Sequence, residues 1–156
     1  MADIDSEGAL RVAEEIERAG GAAVAVHCDV ADSAQHELAF QIHMHRWGRL
    51  DIAVLNAGIG ERSDLVWGEP AGAWQATLDI NLRAVAEGVR LAVRAMTGGQ
   101  PDRKCGGAIL VTASAGGIFP MPVSPVYSAS KAGCVQLVRS LGPPLQKRHG
   151  ISITAL

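Results

Sequence analysis

Tyr127 and Lys131 stand four residues apart in the stretch YSASK, with only Ser128, Ala129 and Ser130 between them. On a helix, positions i and i+4 share a face, so a phenol is set beside an ammonium. A free phenol, with a pKa of about 10, is a poor base near neutrality, and a neighbouring cation favours its ionised form. The pair therefore reads as a proton-transfer site. The plainer alternative is a solvated helix with a tyrosine on its buried side. The small residues in between leave room for a ligand to approach.

Positioning such a pair takes a scaffold, and the chain's patterning describes one. Residues 6–19 carry Leu10, Ala13, Ile16 and Ala19 at helical spacing, with Asp5 or Ser6 as cap and Gly20-Gly21 as stop. AVAVHC (23–28) is a short β-type run, and residues 32–47 form a second helix ending at Gly48. LDIAVLNAG (50–58) is an apolar strand running into a glycine turn. Residues 70–96 are helical, with Leu78, Leu82, Val85, Val89, Ala92 and Met96 on one stripe. AILVTAS (108–114) is a buried-type strand, a helix starts near Val126, and ISITAL (151–156) is a last strand. Helices alternating with apolar strands predict an α/β domain whose parallel sheet is covered on both faces. Pro143 and Pro144 fall inside the helix that carries Tyr127, so a break or kink is expected near Gly142.

Composition narrows the function class. The 156 residues suit one domain with one core, with 48% apolar and 19% charged residues. A net charge of −2 gives no basic surface for nucleic acid or anionic membrane. No apolar run is long enough to span a bilayer, and MADIDSEGAL lacks the layout of a secretory signal. Cys28, Cys105 and Cys134 are odd in number, widely spaced and without a CxxC pair, which argues against a disulfide framework or zinc site. Free thiols fit a reducing compartment, so a cytoplasmic protein is expected. His43 and His45 are two apart and diverge on a helix, so no metal site is expected there.

Four short motifs occur in order: CDV (28–30), NAG (56–58), DIN (79–81), and Ser114 thirteen positions before the tyrosine of YSASK. Together they resemble the short-chain dehydrogenase/reductase family along essentially the whole chain. The resemblance implies an incomplete Rossmann-type, doubly wound parallel sheet with helices on both faces. It implies an NAD-dependent oxidoreductase that interconverts a secondary alcohol and a ketone by hydride transfer. Ketone reduction adds a hydride to carbon and a proton to oxygen. By resemblance, Tyr127 is the general acid/base, and Lys131 tunes it and binds the nicotinamide ribose. Ser114 would bind the substrate oxygen and stabilise charge developing there. Asn81 would hold a water in the proton relay.

The same resemblance assigns Asp29 and Val30 to the adenine, Asn56, Ala57 and Gly58 to the cofactor at a strand C-terminus, and Asp3 to the adenosine ribose. A carboxylate at Asp3 would repel a 2′-phosphate, which favours NAD over NADP. Plainer readings stay open for each: a turn-capping Ser114, an exposed polar Asn81, an ordinary tight turn at NAG, a helix-capping Asp29, and an acidic terminus at Asp3. PVYSASK and the loop before GGAILVTAS are similar to the 15-hydroxyprostaglandin dehydrogenase-like branch, which implies a hydroxylated lipid or other apolar alcohol. GIFPMPV (117–123) could line one wall of its site.

Residues 1–156 hold no counterpart of the family's opening strand and TGxxxGIG turn, or of its closing Pro-Gly segment and substrate-covering helices. The expectation is the central part, 1–156, of a single dinucleotide-binding domain. Losing the pyrophosphate turn would remove charge-assisted contacts of roughly 1.5–3 kcal/mol each. In the family's strand order, 3-2-1-4-5-6-7, AVAVHC then lacks its neighbour, and it either pairs with the next strand or stays loosely attached. The alternative to the enzyme is a catalytically inactive chain acting through dimer-type helix contacts near 78–96 and 126–141. A complete protein is expected to be a homo-oligomer.

Overall fold

The computed structural model describes residues 1–61, 65–67 and 72–156. Among these, five short strands pair only in parallel, and they form two separate sheets. In the first, β1 (Ala2–Asp3) pairs with β2 (Val26–His27). In the second, β3 (Ile52–Leu55), β4 (Gly107–Val111) and β5 (Ile151–Ala155) lie in that order. The expectation that the AVAVHC strand lacks a partner is corrected. Val26 N–H donates to Met1 O and Cys28 N–H to Asp3 O, so the first residues supply its neighbour. No ladder joins β1 or β2 to β3.

The first two helices begin at aspartate side-chain caps. Asp5 caps α1 (Ser6–Arg18) by accepting from Gly8 N–H at 3.0 Å. Asp32 caps α2 (Ser33–Trp47) by accepting from Ala34 and Gln35 N–H. Gly48 ends α2 in the left-handed region that glycine adopts without strain. The stretch expected as one helix over 70–96 is divided, with residues 70 and 71 outside the described residues. A short α3 (Trp74–Leu78) passes through a π-helical segment, Asp79–Arg83, into α4 (Ala84–Thr97).

The core lies where α4 and α5 (Pro125–His149) pack on the three-stranded sheet. Val85, Val89, Ala92 and Met96 of α4 meet Ile109 and Val111 of β4, Ile151 of β5, and Cys134 and Val138 of α5. Burying each large aliphatic side chain contributes about 1.5–3 kcal/mol. Gly88 sets the spacing, since a Cβ there would stand 2.8 Å from Leu55 Cδ2. α2 packs against α4, and α1 packs on β1 and β2. Ile52 and Val54 project from the side opposite α4 and are 64% and 58% exposed.

The expected break near Gly142 does not occur, because α5 runs through Pro143 and Pro144 to His149. Each proline removes one intrahelical donor. The carbonyls left without a partner belong to Arg139 and Ser140, and both residues and both prolines are exposed, so water can satisfy those oxygens. Leu137, Leu141 and Leu145 hold the other side of the helix against the core.

Candidate active site

The helix carrying Tyr127 opens without help from its own N-cap, because Ser124 makes no capping bond. Pro125, at the first position, has no N–H to satisfy. Val126 and Tyr127 N–H both donate to Glu61 Oε2, at 3.0 and 3.2 Å. Ser128 N–H then donates to Ser124 O and starts the helical ladder. One turn later, Lys131 Nζ lies 5.8 Å from the centroid of the Tyr127 ring.

Lys131 is only 3% exposed, and its ammonium donates to Thr112 O, just past β4, at 2.7 Å. It has no carboxylate partner among the described residues. A buried charge without a counter-ion is costly. Tyr127 is half-buried, and its hydroxyl has no protein partner among the described residues.

Ser114 lies three residues past β4 and caps the 3₁₀ turn Ala115–Gly117, accepting from Gly116 N–H at 3.1 Å. The turn-cap reading therefore holds for its oxygen, while its hydroxyl donates no hydrogen bond among the described residues. That turn rests directly on α5. A Cβ on Gly117 would stand 2.8 Å from the Lys131 backbone, and one on Gly116 would stand 3.5 Å from Tyr127 Cε1. A cleft of about 430 Å³ beside Ser114 is lined also by Ile118, Val135, Val138, Ile153 and Leu156. Neither Tyr127 nor Lys131 lines it.

Asn81 is not the exposed polar position of the plainer reading, being 0% exposed inside the π-helical segment. Its Oδ1 accepts from Ile59 N–H at 2.8 Å. Its Nδ2 donates to Ile59 O at 2.8 Å and to Ser130 Oγ at 3.2 Å. Ser130 Oγ in turn donates to Tyr127 O at 2.7 Å. The backbone carbonyl of Asn81 accepts from the buried Cys134 thiol at 3.0 Å. Burial pushes the Cys134 thiol up, against a smaller opposing pull from Lys131.

Asn56, Ala57 and Gly58 are exposed at the C-terminal end of β3. Asn56 Oδ1 accepts from Thr112 Oγ1 at 2.9 Å, which ties the ends of β3 and β4 together. A Cβ on Gly58 would stand 3.3 Å from Asn81 Oδ1 and 3.4 Å from Lys131 Nζ. A missing side chain beside a buried ammonium, at a strand C-terminus, leaves room for close approach of a ligand to the backbone.

Asp29 does not cap α2; its Oδ1 accepts from Ala31 N–H at 2.9 Å, while its own N–H donates to Gln35 Oε1. Asp29 and Val30 are half-buried just past β2. Asp3 is exposed at the end of β1, accepting from Asp5 N–H. Burial pushes the neighbouring Cys28 thiol up, and Asp29, Asp32 and Asp3 add to the effect.

The short-chain dehydrogenase model matches residues 1–156. The chain belongs to the short-chain dehydrogenase family. It is 37% identical over 154 residues to 3beta-hydroxysteroid dehydrogenase 1 of Eggerthella lenta, covering 97% of this chain and 56% of that protein. It is 37% identical over 118 residues to human 15-hydroxyprostaglandin dehydrogenase [NAD(+)], covering 74% of this chain and 39% of that protein. A 3-ketoacyl-ACP reductase from Sinorhizobium meliloti superposes with a TM-score of 0.88 at 33% identity, over 99% of this chain and 59% of that one. A short-chain dehydrogenase from Burkholderia phymatum in complex with NAD superposes with a TM-score of 0.87 at 27% identity, over 99% of this chain and 53% of that one. This short-chain dehydrogenase chain thus spans about half the length of the relatives it matches.

Three features of this dehydrogenase chain escape the sequence reading. Thr112 is bound through both its carbonyl and its hydroxyl, but nothing in its spacing marks it. The π-helical segment at Asn81 is foreshadowed only by a mediocre helix former among good ones. Glu61 follows NAG closely, yet its partners lie 65 and 66 residues away. Among the described residues no helix is long and apolar enough to cross a membrane. Nor do they contain a His, Cys, Asp or Glu cluster that could hold a metal.

Proposed function

We propose that this chain is part of an NAD-dependent oxidoreductase that interconverts a secondary alcohol and a ketone. The observation that carries the reading is Lys131: a buried ammonium without a counter-ion, one turn from the free hydroxyl of Tyr127. Asn56, Ala57, Gly58 and Lys131 would hold the nicotinamide ribose, Asp29 and Val30 the adenine, and Asp3 the adenosine ribose. When bound, the nicotinamide supplies or accepts the hydride. In the reducing direction Tyr127 gives its phenolic proton to the substrate oxygen, and in the oxidising direction it takes that proton back. Lys131 stabilises the phenolate left behind. Ser114 donates to the same oxygen and steadies its developing charge. Asn81 holds Ile59 and Ser130, and the relay water would sit beside it.

NAD is favoured over NADP by the exposed carboxylate of Asp3. Solved relatives include complexes with NAD and with NADP, so the preference rests on that one group. An apolar alcohol is favoured by Ile118, Phe119 and Val123, all exposed on the loop between Ser114 and Tyr127. The matched 3beta-hydroxysteroid and 15-hydroxyprostaglandin dehydrogenases carry apolar substrates in their names. A homo-oligomer working in the cytoplasm, with α4 and α5 as the contact helices, completes the reading.

The separation between β1 and β3 favours a second reading, a catalytically silent chain acting through α4 and α5. NADH fluorescence titration separates the two. Saturable binding, with turnover of an apolar secondary alcohol that Tyr127→Phe lowers about 10²–10⁴-fold, supports the enzyme. No saturable binding at millimolar NADH, or wild-type turnover in Tyr127→Phe, overturns it.

A further inference from the structure

The first turn of α5 leaves two backbone donors to be satisfied, and one carboxylate oxygen from across the molecule takes both. The other oxygen, Glu61 Oε1, is buried and makes no hydrogen bond. A capping role alone would be met more cheaply by a local serine or aspartate, and Ser124 stands at that position without making the bond. What a local cap could not do is fix α5 relative to the turn after β3. Ile59, two residues before Glu61, is clamped on both its N–H and its carbonyl by Asn81. Gly58 lies against Asn81 Oδ1 and Lys131 Nζ. The segment 58–61 is thus locked at one end to the π-helical segment and at the other to the backbone of Tyr127.

We propose that Glu61 is a positioning residue for Tyr127, holding the tyrosine backbone in register with the NAG turn. The proposal rests on the reading of Tyr127 as the proton-transfer group. The carboxylate acts through two charge-assisted bonds at a helix N-terminus, where the macrodipole favours negative charge. Reach matters more than charge, because the bonds span two segments that are each held elsewhere.

Three variants of the protein test this: Glu61→Ala, Glu61→Gln with the acceptor retained, and Glu61→Asp with the charge retained but one methylene less reach. Backbone amide exchange at residues 126 and 127 should quicken about tenfold in Glu61→Ala and about threefold or less in Glu61→Gln. Exchange at Val138, further along α5, should not change. Tyr127 is the only tyrosine in the sequence, so a tyrosine-labelled sample gives one set of ring signals. Those signals should shift or split in the Ala and Asp variants and stay near the wild-type position in the Gln variant. In turnover, Glu61→Ala and Glu61→Asp should lower kcat about tenfold at unchanged KM for the cofactor, and Glu61→Gln should restore it. Unchanged exchange at 126 and 127 in Glu61→Ala overturns the proposal. So does faster exchange with an unmoved ring signal, or a Glu61→Asp variant that behaves as wild type while Glu61→Gln does not. If Glu61→Ala fails to fold, the Gln and Asp variants decide. If the wild type shows no turnover, the reaction reading fails by itself, and amide exchange and the ring signal still decide the role of Glu61.

Discussion

Replacing Asn81 with alanine should destabilise the protein by about 3 kcal/mol, far more than an ordinary polar-to-alanine change. The side chain is fully buried and makes three hydrogen bonds: one from Ile59 N–H, one to Ile59 O and one to Ser130 Oγ. Each such bond contributes roughly 0.5–1.5 kcal/mol net, and a buried partner left unpaired costs roughly 1–3 kcal/mol. Ile59 is half-buried, so water recovers part of its loss. Ser130 keeps its bond to Tyr127 O. The estimate therefore sits near the sum of three net bonds. Urea denaturation at fixed pH gives the difference directly, provided the slope is unchanged. Asn81→Asp is the informative companion: it keeps an acceptor for Ile59 N–H but sets oxygen against the Ile59 carbonyl, so it should fall towards the alanine variant. A loss under about 1 kcal/mol in Asn81→Ala would refute the argument that this side chain holds the turn after β3.

Gly117→Ala should be destabilising by about 1–3 kcal/mol, because its Cβ would meet the Lys131 backbone, which cannot rotate away; thermal denaturation reads this, and a wild-type midpoint would refute it. His36, packed against Gly88 and Phe40, has a pKa lowered first by burial and then by Arg83, with Glu87 opposing. Its Nδ1 is buried without a partner. With a folded pKa below the unfolded value near 6.5, the unfolded chain binds the proton more readily. Stability should therefore fall as pH drops from that value towards the folded pKa, by at most about 1.4 kcal/mol per unit. His36→Leu should flatten this part of the urea-midpoint profile, and an unchanged slope in the variant would refute it.

Which features could be read from the sequence depended on how far away each residue's partners lie. Asp32 and Gly48 bracket α2 because capping works within a turn, and a turn is visible in any window of the chain. Tyr127 and Lys131 were found for the same reason, since helical spacing alone puts them on one face. β1 is legible only through the family resemblance of its residues, because a ladder of two residue pairs has no period to detect. The prolines of α5 do not break it because the side of the helix they occupy is wet, and that side is not set by any local signal. Asn81 is the harder case. Its type and place stand out in the sequence, but what it does depends on Ile59 at 22 residues and Ser130 at 49. Glu61 lies beyond local inference altogether, since its carboxylate looks like any solvated acid until α5 is brought to it. Local chemistry thus marks the groups that could move a proton, while the groups that hold them in place are distributed over three separate stretches of chain. A substitution at a holding group should disturb the geometry of Tyr127 while leaving the recognisable motif untouched.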